Sequence, residues 1–302
     1  MPEFAARLAA TYSIVARDPE SGDLGVGVQS HYFAVGAVVP WAEAGVGAVA
    51  TQSFVEPGYG PRMLARLRRG EAPEQALAAL GTVDDGSALR QVAVVDARGR
   101  AAAHTGTLCI PVAGGELGPD FAAQGNMLRA EAVWRALGPA FAKAEEPLAE
   151  RLLAALDAAE AAGGDARGRQ SAALLVVSGE RSDEPWQGRS VDLRVDDHPQ
   201  PLDELRRLLR IRRAAERFEV ARERLGRGDL AGALADVEAA RALQPENVEF
   251  LFWTGVALAN HGRRDEARAL LREACAAEPG WRVLASGLVA RGLLPDDPGL
   301  LA

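Results

Sequence analysis

Two short extended runs joined by a tight turn, over residues 11–30, constrain this chain more than any other stretch. Thr11-Tyr12-Ser13-Ile14-Val15-Ala16-Arg17 is rich in side chains that pack well on a pleated surface. Asp18-Pro19-Glu20-Ser21-Gly22-Asp23 supplies the Pro and Gly of a reversal. Leu24-Gly25-Val26-Gly27-Val28-Gln29-Ser30 returns as the second strand. Alternation puts Leu24, Val26 and Val28 on one face and the two glycines on the other. A bare glycine face admits a second layer, or a substrate, against the backbone. Thr11 therefore stands at the mouth of a hairpin whose partner strand is partly stripped of side chains.

Further along, apolar runs and breakers set the order of elements. Ala34 to Pro40 and Gly45 to Gln52 read as strands buried on both faces. Gly60-Pro61 opens a helix with Met63, Leu64 and Leu67 on one side, and Pro73 opens a second through Leu80. Arg90 to Asp96, Ala101 to Thr105 and Phe121 to Asn126 read as strands. Leu128 to Phe141 and Pro147 to Ala162 read as helices, and Gln170 to Ser178 and Ser190 to Asp196 as closing strands. Strands without a clean in-and-out alternation are covered on both sides. The pattern therefore predicts an α+β domain built as a four-layer αββα sandwich, with another layered α+β fold as the alternative.

After about residue 200 the pattern changes. Pro201 starts a charged helix, expected over Leu202 to about Arg213. Ala221, Leu225, Gly228, Ala233, Ala240 and Pro245 then recur thirty-four places on as Gly255, Ala259, Gly262, Ala267, Ala274 and Pro279. That period and its small residues are similar to tetratricopeptide repeats, so an all-α helical-repeat domain is expected. Arg282 to Arg291 would cap it. The expected division is an extension or propeptide over 1–10, a layered domain over 11–200, a linker helix over 201–213 and the repeats over 214–302. The repeats carry no cluster of catalytic side chains and are expected to bind a protein partner.

Composition excludes several classes. The net charge of −8 argues against a general nucleic-acid binder. Four scattered histidines show no metal-ligand spacing, so no metal or other cofactor is expected. The two cysteines, Cys109 and Cys275, lie far apart and fit a reducing compartment. No apolar run spans a bilayer, and Met1 to Ala10, with Glu3 and Arg7, lacks the core of a secretion signal. A cytoplasmic protein without membrane contact is the expectation.

Several stretches resemble one family. They are Thr11 to Ala16, Phe33 to Pro40, Gly45 to Gln52, His104-Thr105-Gly106, Gln124 to Leu128, Gly163-Gly164-Asp165, Arg167 to Ala173, and Asp192 to Pro199. In this order and spacing they resemble domain of unknown function 1028, a family similar to the N-terminal-nucleophile (Ntn) hydrolases. The resemblance implies the Ntn sandwich and a hydrolase heritage. It also implies homo-oligomers, since such folds are often built into rings or dimers.

On that footing the first residue of the first strand, Thr11, is the candidate nucleophile. A threonine hydroxyl needs a base, and a free α-amine on the same residue supplies one. Thr11 is not first in the sequence. Either the ten preceding residues are removed, or synthesis starts just before Thr11, or Thr11 is a strand residue of an inactive relative. Asn126 and nearby backbone amides are candidate oxyanion donors, with Gln124 beside them. Gln52 and Ser53 end a buried strand and either face the nucleophile or cap a turn. Ser30 and His31, and likewise His104, end strands and either line the cleft or satisfy a loop. Asp165, Arg167, Arg169 and Ser171 form a polar loop that either clamps a substrate carboxylate or is held by its own Asp–Arg pairs. Asp192, Arg194, Asp196 and Asp197 suggest an ion-pair network rather than a metal site. Three functions compete: an amidohydrolase acting on a small amide or peptide-like metabolite, an inactive Ntn-fold scaffold that recruits a partner through its repeats, and an oligomeric structural component.

Overall fold

The structure is a computed structural model that describes residues 8–9, 11–182, 184 and 188–301. It divides into two compact units, with the division between Leu208 and Leu209.

The first unit holds two antiparallel sheets. One contains, in spatial order, β1 (Leu8–Ala9), β5 (Gly47–Phe54), β6 (Arg90–Asp96) and β7 (Ala101–Thr105), with β4 (Pro40–Glu43) also paired to β5. The other runs β11 (Arg189–Val195), β10 (Ser171–Val177), β3 (Leu24–Ser30), β2 (Thr11–Arg17), β9 (Phe121–Gly125) and β8 (Gly114–Gly118). The hairpin forms as expected, with Thr11 opposite Ser30 and Arg17 opposite Leu24. Val15, Val26 and Val28 of one sheet pack on Ala48, Ala50, Ala93 and Val95 of the other in one buried cluster. Helices α1 (Tyr59–Arg68) and α2 (Pro73–Gly81) cover the outer face of the first sheet through Met63, Leu64, Leu67 and Leu80. Helices α3 (Ala132–Lys143) and α4 (Leu148–Ala161) cover the second.

The glycine face has a definite use. A Cβ on Gly25 would lie 2.8 Å from Leu152 Cδ1, and one on Gly27 would lie 3.3 Å from Leu152 Cβ. The bare face of β3 therefore receives helix α4, not substrate. The opposite face meets the other sheet.

Three expectations are corrected. Ala34 to Pro40 is not a strand: Val35–Ala37 is a short 3-10 helix, and Ala34 has a left-handed φ of 54°. Val35, Gly36 and Val39 are buried, but the Val35 amide bonds the Ser171 hydroxyl and the Ala34 amide bonds the Asp196 carbonyl. Those amides are committed to turns, so no ladder forms. Helix α3 starts four residues later than expected, because Leu128 N–H bonds Val112 and Arg129 N–H bonds Gly164. Strand β8, with three glycines in five residues, was not expected and forms by pairing with β9.

The second unit is helical. Helix α5 (Pro201–Gly226) is one uninterrupted helix of 26 residues, so the helix expected to end near Arg213 runs on into the repeats. It is followed by α6 (Leu230–Leu243), α7 (Glu249–Asn260), α8 (Arg264–Ala277) and α9 (Gly280–Val289). The small residues of the repeat are buried where helices cross: Ala221, Ala233, Ala240, Ala267 and Ala274 are wholly covered. A Cβ on Gly255 would come within 2.8 Å of Leu271. Gly228 and Gly262 take left-handed φ just after their helices, as helix-ending glycines do. Both cysteines are buried and free. Among the described residues no helix is long and apolar enough to cross a membrane.

Candidate functional site

The seam between the two sheets changes character at one end. Over most of its length it is Ala and Val. At the Thr11 end it is lined by Thr11, Ser13, Ser30, Gln52, Gln91, Gln124 and Asn126, all wholly buried. None of the seven ionises in the ordinary pH range, so the seam is polar without charge.

Gln91 fixes the orientation of the network. Its Nε2 lies 2.8 Å from the Gly125 carbonyl, 3.1 Å from the Gly114 carbonyl and 3.0 Å from Thr105 Oγ1. Carbonyls only accept, so the amide nitrogen must face them. Gln91 Oε1 is thereby turned to accept from Gln52 Nε2 at 2.8 Å and Asn126 Nδ2 at 2.9 Å. Gln52 Nε2 also donates to the Thr11 carbonyl at 3.2 Å, while Ser13 Oγ donates to Gln52 Oε1 at 2.7 Å. Gln124 Nε2 donates to the Ala50 carbonyl at 3.1 Å. Asn126 Oδ1 and Gln124 Oε1 are left buried without a partner.

Thr11 sits at the edge of this network. Its carbonyl accepts from Gln52 Nε2 and from the Asn126 amide at 3.0 Å. Its Oγ1 lies 2.9 Å from the Ala9 carbonyl and 3.2 Å from Ser30 Oγ. Leu8 and Ala9 pair with Phe54 and Ser53, so this short strand lies along β5 beside the threonine. Residues 1–7 and 10 of the expected extension lie outside the described residues.

Backbone conformation around the seam is unusual. Ser53 (φ 69°) and Met127 (φ 52°) are left-handed although neither is glycine. Such residues cost about 1–3 kcal/mol each and persist where the surroundings impose them. Ser53 is wholly buried, and its hydroxyl lies beside the Cys109 thiol without a partner at hydrogen-bonding geometry. Burial raises the Cys109 thiol above its ordinary value.

The polar loop sits at the same end of the second sheet, since Ser171 pairs with Ser30 and Ser30 with Thr11. Its side chains are engaged with protein. Asp165 accepts from the His31 amide at 3.1 Å and from Arg167 Nη2 at 2.8 Å. Arg169 Nε pairs with Glu160 at 2.5 Å and reaches Gln200 through Nη1. Ser171 Oγ lies 2.5 Å from the Tyr32 carbonyl and accepts from the Val35 amide. Burial, then the Glu160 carboxylate, pushes the Tyr12 phenol well above its ordinary value. It therefore stays protonated and donates to Glu160 at 2.6 Å.

The seam thus brings Thr11, Ser30, Gln52, Gln124 and Asn126 together, with Ser53 at its edge. It does not include His31, whose side chain is exposed, nor His104. His104 faces outward from β7, 2.9 Å from the Ser87 carbonyl, in a cavity of about 380 Å³ shared with Tyr59 and Glu74. Asp192 pairs with Arg189 and Arg194, and Asp197 with Gln170. Sequence reasoning missed Gln91 and Ser13. The signal was partial: Gln52, Gln91 and Gln124 each stand near the end of a strand whose middle is Ala and Val, but nothing local pairs one with another.

The profile of a family of unknown function (DUF1028) matches residues 11–205, and that of a tetratricopeptide repeat matches residues 218–280. The chain is similar to the crystal structure of protein SPO2555 from Silicibacter pomeroyi, described under the same DUF1028 family. The two share 36% identity and a TM-score of 0.60, over 66% of this chain and 88% of that one. No curated protein matches.

Proposed function

The chain belongs to the family of unknown function DUF1028, and on that premise we propose that its sheet unit is an Ntn-type amidohydrolase with Thr11 as nucleophile. The observation that carries the reading is the position of Thr11. It begins a strand, and its hydroxyl is buried 3.2 Å from Ser30 at the head of a neutral polar seam. The layering of helices outside two facing sheets supports the Ntn sandwich.

Maturation comes first in this reading. Thr11 Oγ1 attacks the carbonyl carbon of the Ala10–Thr11 peptide bond. The C–N bond breaks, the nitrogen stays on Thr11 as an amine, and Ala10 becomes an ester on Oγ1. Water hydrolyses the ester and releases residues 1–10 as a carboxylate. The freed amine has an ordinary pKa of about 7.7–8.0, suited to act as base near neutrality. In turnover it takes the Oγ1 proton as Oγ1 attacks a substrate amide, and passes that proton to the leaving amine. It then deprotonates the water that hydrolyses the acyl ester. Asn126 Nδ2 has a second N–H beyond the one given to Gln91, and this is the oxyanion donor of the reading. Because the seam is uncharged, the substrate class is a neutral small amide or peptide-like metabolite. The repeat unit belongs to a class that binds proteins, and its role here is to recruit a partner rather than to take part in the chemistry.

The test is intact mass and N-terminal sequencing of the protein made in its own host, with turnover of a panel of small amides. The expected result is a mature chain beginning at Thr11. Thr11→Ala should keep the ten residues and hydrolyse nothing. A full-length protein that still hydrolyses amides refutes the mechanism. A full-length, inert protein with a bound partner favours the scaffold alternative.

A further inference from the structure

A second cavity lies at the opposite end of the first sheet. Strands β5 and β6 carry Gln52 and Gln91 at the seam end. Their other ends, Gly47 and Asp96, are paired with each other, about 17 Å away along the strands. Beside them is a cavity of about 300 Å³ lined by Arg68, Arg69, Arg98, Arg100 and Arg181, with Asp96, Val46 and Leu67 forming part of the wall.

Charge is unevenly matched there. Arg68 forks onto Glu43, with Nε at 2.7 Å from its carboxylate. Arg69 pairs with Glu71 at 3.0 Å. Arg100 Nε lies 2.7 Å from Asp96. The other Asp96 oxygen is taken by the Arg98 and Arg100 amides, each at 2.9 Å. Neither the Arg98 nor the Arg181 guanidinium has a hydrogen bond or ion pair among the described residues. Five guanidinium groups thus line the cavity, and of their carboxylate partners Glu43 and Asp96 each pair with one of them while Glu71 is shared between Arg69 and Arg66, in a chain whose net charge is −8.

The approach of Arg181 is built into the backbone. Gly45 has φ +63°, and a Cβ there would lie 2.5 Å from Arg181 N. Only a residue without a side chain admits the Arg181 backbone so closely.

We infer that this cavity is an anion site for a diphosphate group, distinct from the Thr11 seam. A single carboxylate would answer one of the two unmatched guanidinium groups. A diphosphate, with two or more charges near neutrality, answers both. Arginine is the side chain suited to it, because its planar fork donates to two phosphate oxygens at once and never loses its charge. A free diphosphate and one carried on a nucleotide share this chemistry.

The experiment is calorimetric titration of the full chain with inorganic pyrophosphate, ADP, inorganic phosphate and acetate at about 0.15 M salt, where surface attraction is largely screened. Saturable one-site binding of pyrophosphate is expected, at least tenfold tighter than phosphate, with no heat from acetate. ADP binding as tightly as pyrophosphate assigns the site to nucleotides, and weaker ADP binding assigns it to free diphosphate. The Arg98→Gln, Arg181→Gln double variant should weaken binding at least tenfold with unchanged circular dichroism. Arg222→Gln, at an exposed arginine of the helical unit, should leave it unchanged. Absence of saturable pyrophosphate binding overturns the proposal, as does binding that survives in the double variant.

Discussion

At the scale of single residues, Gln91 does more than the nucleophile candidate to hold the site in shape. It satisfies two backbone carbonyls from the second sheet and supplies the acceptor that orients Gln52 and Asn126. Gln91→Leu keeps the volume but strands those groups in a dry seam. Each unsatisfied buried group costs about 1–3 kcal/mol. We expect a loss of roughly 3 kcal/mol or more, a fall of about 6–12 °C in the melting temperature of the sheet unit. Gln52→Leu should be destabilising too. The double variant should cost less than the two losses added, with a coupling of about 0.5–3 kcal/mol between neighbours in one network. Additive losses in a thermal-melt cycle would show that the two glutamines act separately. Thr11 and Gln52 could be singled out because each stands at a recognisable strand end. Gln91 and Ser13 could not, because their partners come from far along the chain: Ser13 meets Gln52 from 39 residues away. Nothing local marks a polar side chain as one half of such a pair.

Between elements, Asp84 ties three together at the same end. It accepts from the Tyr59 hydroxyl of α1 at 3.0 Å, from the Gly86 amide at 2.9 Å and from Arg90 Nε of β6 at 2.8 Å. Arg90 in turn donates to the Phe54 carbonyl at the end of β5. Burial pushes the Asp84 carboxyl up, but Arg90, the Gly86 amide and Tyr59 outweigh it and hold it below the usual carboxylate range. A depressed folded pKa adds stability above the unfolded value, and that stability is lost as pH falls through the folded value. The stability gap between the protein and Asp84→Asn should therefore be constant from about pH 5 to 7 and shrink below about pH 4, near the ordinary Asp value. A gap that grows on acidification, in urea melts across that range, would reverse the assignment. Elements were readable where burial and backbone agree, as in β6 and β7, whose ends are where the alternation puts them. They were not readable where burial came without a ladder. Val35, Gly36 and Val39 are as buried as any strand, yet their backbone turns. In β8 the three glycines hide a strand that only its partner imposes.

For the whole molecule, the continuity of α5 sets the terms on which the two units are separable. Its early turns bury Leu202, Leu205 and Leu209; its later turns bury Ala214, Phe218 and Ala221, the last three in a cluster with Val237, Ala240 and Phe250. A chain cut after Arg213 keeps the first set and loses the second. A helix end left in water frays by a turn but costs little when its apolar stripe has already been used. The 1–213 fragment should therefore melt within a few degrees of the first transition of the full chain and retain whatever amide hydrolysis the full chain has. The remainder, with about two repeats, has few neighbouring interfaces and should be only marginally stable alone, because repeat arrays draw their stability from stacking. Calorimetry of the full chain and the fragment, with turnover measured on the same amide, decides between independence and coupling. If the fragment folds but loses turnover, the helical unit contributes to the chemistry, and its assignment as a partner-binding module falls.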